Sequence, residues 1–184
     1  TSGMGTGGVK ADTTNAEAQA WVEYGLALSH AFYHQDAKAA MKRSVALDPT
    51  CSVCSWGEAW ALGPTLNYGI KDDERKVALA TAVRAQSLAK PGDEKARRLA
   101  EIMIARYAEP PATDDKKSAG GKSGEAGAVA AGPGTEPAFA AAFAKIAADY
   151  PAEAELAVLA AHSLMMSATE EDTTDLKAAL VLLE

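Results

Sequence analysis

Cys51 and Cys54, in the run "DPTCSVCSWGEAWALGP", are the first side chains in this sequence whose types and spacing could do chemistry. Three residues apart at the start of a helix, they share one face and lie within bonding reach of each other. A helix N-terminus also lowers a thiol pKa, the setting of redox-active C-x-x-C pairs. Three readings stay open: a disulfide that pins the helix start, two reduced cysteines packed as small hydrophobes, or a redox or metal-handling pair. A haem attachment is disfavoured because Ser55, not histidine, follows Cys54. The surrounding sequence also lacks the alternating strands and helices of a thioredoxin-like fold.

His30 and His34, four apart, are the nearest further ligand types for zinc or copper. His30 ends one helix while the cysteines begin a later helix of the same direction, a separation of roughly 15 to 20 Å at 1.5 Å per residue. Ligands of one metal must each lie within about 2.3 Å of it, so no metal centre is expected from this set. His34 is expected to be a packed, hydrogen-bonded ring. The sequence holds no Ser-His-Asp order, no H-E-x-x-H and no phosphate-cradling loop, since "GMGTGG" precedes no strand and lacks Lys followed by Ser or Thr. The acidic run Asp72, Asp73 and Glu74 reads as a solvated helix start. No catalytic residue, and no cofactor, is assigned.

Lys and Arg number 18 against 25 Asp and Glu, a formal charge of −7, with no dominant basic cluster. Phosphate recognition rests on clustered cations, so neither nucleic acid nor an anionic membrane surface is an expected partner. No apolar run approaches the roughly 20 residues that span a bilayer, so no membrane insertion is expected. The start at Thr1 and the glycine-rich "TSGMGTGG" suggest a trimmed terminus from which an export signal could have been removed.

Side chains placed this way need elements to hold them, and the periodicity is helical throughout. Apolar residues recur at three- and four-residue spacing among Ala, Leu, Glu and Lys, and alternating patterns are scarce. The predicted helices cover about 15–31, 35–47, 51–62, 73–89, 93–107, 136–149, 152–167 and 173–184. Start signals are Thr14, Asp73, Asp93 and Asp172 or Thr174; stops fall at Pro49, Pro91, Pro110 and Pro151. The stretch 1–13 is expected to be a flexible N-terminus ahead of one helical domain at 14–184. A Pro, Gly, Ser and Ala tract at 108–135 reads as a disordered insertion.

Trp21, Tyr24, Gly25, Leu28, Ala37, Met41, Ser44 and Pro49 fall at spacings that resemble the tetratricopeptide repeat, with a period of about 34. Small Gly25, Ala37 and Ser44 let two helices approach, while Trp21 and Met41 are expected in the space between them. A longer stretch carries an "AF-x-H" turn (Ala31, Phe32, His34) and a "W-G-x-A-x-x-L-G-P" helix end (Trp56, Gly57, Ala59, Leu62, Gly63, Pro64). These resemble a group of bacterial tetratricopeptide repeat proteins. The resemblance implies an all-α fold, a right-handed superhelix of about four antiparallel helix pairs, and an exported or periplasmic setting, with the cytoplasm left open. It is strong for fold and weak for function.

Solenoids of this kind bind along the concave side lined by the first helix of each pair. Gln19, Val22, Leu26, Ser29 and His30 map there, followed by Val53, Trp56 and Trp60, Arg97 with Arg98 at its edge and Glu101, then Glu155, Val158, His162 and Met165. The expected function is a non-enzymatic scaffold binding a protein or an extended peptide in this groove. Trp56 and Trp60 would be apolar platforms, Arg97 or Arg98 would meet a carboxylate, His30 and His162 would reach inward, and Asn67 and Tyr68 would form a lip. The alternative is thiol redox or metal handling at Cys51 and Cys54. The apolar end "TTDLKAALVLLE" implies missing neighbours or a homodimer contact through the C-terminal helices, and the chain reads as the N-terminal part of a longer repeat protein.

Overall fold

A computed structural model describes residues 8–108, 135–168 and 173–183. Eight helices occur among them: α1 (Ala16–His30), α2 (His34–Leu47), α3 (Ser52–Leu62), α4 (Asp72–Leu88), α5 (Glu94–Tyr107), α6 (Thr135–Asp149), α7 (Ala154–Ser167) and α8 (Thr174–Leu183). No strand is present among the described residues, so the fold is all-helical. The tract expected to be a disordered insertion lies, apart from its ends, outside the described residues.

Local chemistry explains the boundaries. Asp93 caps α5 by accepting the Ala96 N–H at 3.0 Å, as its position before "EKARRLAEIM" predicts. For α1 and α4 the cap lies one or two residues from the predicted one. Asn15, not Thr14, accepts from the N–H groups of Glu17 and Ala18 at 3.0 and 3.2 Å and starts α1. In α4, Asp72 is already helical, and Glu74 reaches back to accept the Lys71 N–H at 3.0 Å. Gly92, at φ +89°, supplies the left-handed turn between α4 and α5 that a side chain would strain.

Sequential helices pack as neighbours: α1 on α2, α3 on α4, α6 on α7 and α7 on α8, with α2–α3, α4–α5, α1–α3, α3–α5 and α5–α6 joining them. Met41 is the wedge of the first three. A Cβ on Gly25 (α1) would stand 2.8 Å from its Cε, and one on Gly57 (α3) would stand 2.7 Å from its Sδ. Both helices therefore approach α2 as closely as they do because neither position carries a side chain. Trp21, expected in this interior, is only partly buried instead; its ring packs edge-on to Tyr24 at 5.8 Å, with its indole N–H donated to Glu17.

The N-terminal stretch differs from expectation over its described part. Residues 8–13 form an arm packed on the helices, with Val9 fully buried and Ala11 nearly so. Gln19 holds it from both sides, accepting the Ala11 N–H at 2.7 Å and donating to the Val9 carbonyl at 3.2 Å. Asp12 then accepts the N–H groups of Ser52 and Val53 at 3.1 and 2.9 Å, capping α3 from 40 residues away in sequence. Lys90 donates to the Asp12 carbonyl and Lys95 to that of Lys10. Glycine-rich composition pointed to flexibility, but two apolar side chains and one helix cap are enough to fix the arm.

Candidate functional site

The two cysteines are joined as a disulfide, and both are fully buried. Cys51 is the N-cap of α3, and its sulfur also accepts the Cys54 N–H at 3.0 Å. The bond closes so short a loop that the chain-entropy argument gives it only about 2 kcal/mol. Among the described residues no three His, Cys, Asp or Glu side chains converge as a metal site.

The residues proposed for the groove separate into three places. Trp56, Trp60, His30 and His162 come together, but the two tryptophans are buried and the two histidines only partly exposed. Trp56 is fully buried, so it offers no platform to a ligand, and the reading of it as groove surface is corrected: it is core. Val22, Leu26, Ser29 and Val53 are buried with it. What fills the space is α6. Phe139 stacks on Trp60 with ring centroids 6.0 Å apart, and Phe143 meets the same indole edge-on at 5.5 Å. His162 of α7 packs edge-on against Trp60 at 5.5 Å and lies 6.3 Å from the His30 ring. His30 Nε2 in turn meets the Glu155 carboxylate at 2.7 Å, tying the end of α1 to the start of α7. Burial, with His30 and Arg106 nearby, pushes the His162 pKa down to about 4.

Arg97 and Arg98 do not stand over this cluster. Arg97 is exposed and paired with Glu94 and Glu101 on its own helix. Arg98 reaches Asp149 of α6 at 2.7 Å. The guanidinium that matters inside is Arg106, a residue the sequence reading passed over. Its side chain is 2% exposed, sits 3.9 Å over the Phe139 ring, and places Nη2 at 3.1 and 3.2 Å from the two Glu136 oxygens. Beside it, the Tyr107 hydroxyl donates to the Ala59 carbonyl at 2.8 Å, and burial pushes its pKa up to about 12. A Cβ on Gly63 would overlap that hydroxyl, which accounts for the glycine in "L-G-P". Phe139 and Phe143, four apart after Glu136, gave a legible apolar stripe; nothing in its spacing said which helix it would cover.

Asn67 and Tyr68 lie in the third place, the rim of a cavity of about 740 Å³ between the start of α2 and the loop after α3. The "AF-x-H" and "L-G-P" motifs meet here. Phe32 carries φ +64°, a strained conformation for a bulky residue, and its ring is 53% exposed. His34 packs edge-on to Phe32 at 6.0 Å and to Tyr68 at 5.9 Å. Its Nε2 is buried with no hydrogen-bond partner among the described residues, where a bonded ring was expected. Burial first, and Lys38 second, lower its pKa, so the ring is neutral near pH 7. Lys38, Lys71 and Glu74 supply charge around the opening.

Compared with known proteins, the chain matches no family model, no curated protein and no solved structure. Among the described residues no helix is long and apolar enough to cross a membrane.

Proposed function

We propose that the chain is a non-enzymatic scaffold of tetratricopeptide type, built as a right-handed superhelix of helix pairs, which holds a partner protein by an extended segment. The recognition surface in this reading is the cavity between the start of α2 and the loop at 65–71, since Phe139 and Phe143 already occupy the place beside Trp60. One observation carries it: Phe32 and Tyr68, 53% and 63% exposed, flank His34 at the mouth of that cavity, and Phe32 is held there in a strained backbone conformation. Exposed aromatics around a concavity are the residue type that dominates interaction energies. Lys38 and Lys71 outnumber Glu74 around the opening and favour a segment that carries an acidic residue. An exported or periplasmic setting goes with this reading, because a structural disulfide persists in an oxidising compartment. Thiol exchange is the weaker reading, because attack on a disulfide needs access and both sulfurs are buried.

A photo-crosslinking phenylalanine analogue at position 68, with position 83 on exposed α4 surface as control, tests the proposal. The expected result is one partner adduct from position 68 and none from 83. Tyr68→Ala and Phe32→Ala should then weaken the captured partner by about tenfold or more with helical content unchanged. Adducts from both positions, or from neither, count against the cavity as the recognition surface.

A further inference from the structure

Two apolar faces, one on α1 and α2 and one on α8, are exposed, and a side chain of opposite charge flanks each. One is a groove of about 640 Å³ on the outside of α1 and α2, floored by Trp21, Tyr24, Leu28 and Ala40, with Asp36 and Ala39 on its α2 side; Tyr33 and Arg43 also line it, the guanidinium already paired with Glu17. The other is a ridge on α8. That helix turns Ala179 and Leu182 inward towards α6 and α7, and carries Leu176, Leu180 and Leu183 at spacings of four and three, with Val181 beside them, on its outer side. These four are 42% to 73% exposed. A stripe at that spacing is the seam by which one helix lies in the groove of others.

We propose that the α8 ridge of one copy of this chain seats in the α1/α2 groove of the next, so that copies add head to tail. Charge fits the same occupant. At −7 per chain, two copies repel each other at long range, so a self-contact needs a local pair of opposite sign. Exposed Lys177 flanks the ridge, one turn from both Leu180 and Val181, and exposed Asp36 flanks the groove. The ridge offers roughly 400 Å² of apolar side chain, about half of what each partner of a standard interface buries, so the association is weak and reversible. The two faces are different surfaces. Each addition therefore leaves one ridge and one groove free, and the series grows with concentration instead of closing as a symmetric dimer. This contact is independent of the Phe32–Tyr68 cavity.

Sedimentation velocity on the 184-residue chain, over a concentration series reaching about 1 mM, reads the association directly. Leu180→Lys blocks the ridge and Ala39→Arg blocks the groove; both residues are exposed, and circular dichroism checks that neither change disturbs the helices. The expected result is growth of the wild-type chain, monomers for either variant alone, and a one-to-one dimer with nothing larger when the two variants are mixed. Lys177→Glu should weaken association by about fivefold or more, and adding Asp36→Lys in the same chain should restore it. A wild-type chain that stays monomeric throughout overturns the proposal. So does a mixture of the two variants that stays monomeric. If the Ala39→Arg variant still dimerises by itself, α8 is meeting α8, and the head-to-tail contact is wrong.

Discussion

His162 sits where the indole of Trp60 and the ring of His30 leave little water, and its proton affinity carries the cost. An unfolded histidine takes up its proton near pH 6.5, while the folded one does so only near 4. The unfolded chain therefore binds more protons across that interval, and stability falls as pH drops through it, by up to about 3 kcal/mol. His34, lowered in the same direction, adds to the trend. Melting temperatures measured between pH 7 and pH 4.5 should fall steeply for the wild-type chain and less steeply for His162→Gln. Equal slopes would mean that the histidine is not the group responsible. At this scale the sequence was partly legible. The cysteine spacing limited the outcomes to three, of which the structure has the disulfide. The fate of Trp56 was not legible, because a tryptophan on a helix looks the same whether a ligand or Trp60 and its neighbours cover it.

Helices depend here on what is missing from two of them. Gly25 and Gly57 press on the same methionine from opposite helices, so a methyl group added to either can be met only by moving the far end of Met41. Helix propensity favours Ala over Gly by about 1 kcal/mol, which offsets much of the strain in each single substitution. In Gly25→Ala/Gly57→Ala the side chain has no remaining direction to yield. Denaturant titration of the wild type, both single variants and the double variant should give an interaction energy of about 1 kcal/mol or more, destabilising. Additive values would show that Met41 is not shared. The order and approximate limits of the helices were readable from periodicity, prolines and acidic starts, whereas their caps shifted by a residue or two. Asp12 could not be read as a cap at all, because its partners on α3 lie 40 and 41 residues away and no local pattern records such a bond.

Across the molecule, contacts are not confined to neighbouring hairpins. His30 meets Glu155 over a separation of 125 residues, and Lys95 joins the Lys10 carbonyl to the Glu153 carboxylate. A purely nearest-neighbour array loses its end units first as denaturant rises. A chain whose first and seventh helices hold each other should instead unfold as one unit. Tryptophan fluorescence and far-ultraviolet circular dichroism are expected to trace the same urea transition; separate midpoints would show hairpins melting independently. The all-helical class follows from composition and period. The filling of the space beside Trp60 does not, since it depends on where α6 returns after a long tract whose sequence encodes no direction.

That return has a cost during synthesis. Trp60 and the apolar faces of α1 and α3 leave the ribosome well before Phe139 and Phe143 are made, so a nascent chain of five helices displays uncovered hydrophobic surface until the sixth arrives. A pause within that window would favour capture by a chaperone or clumping with another nascent chain.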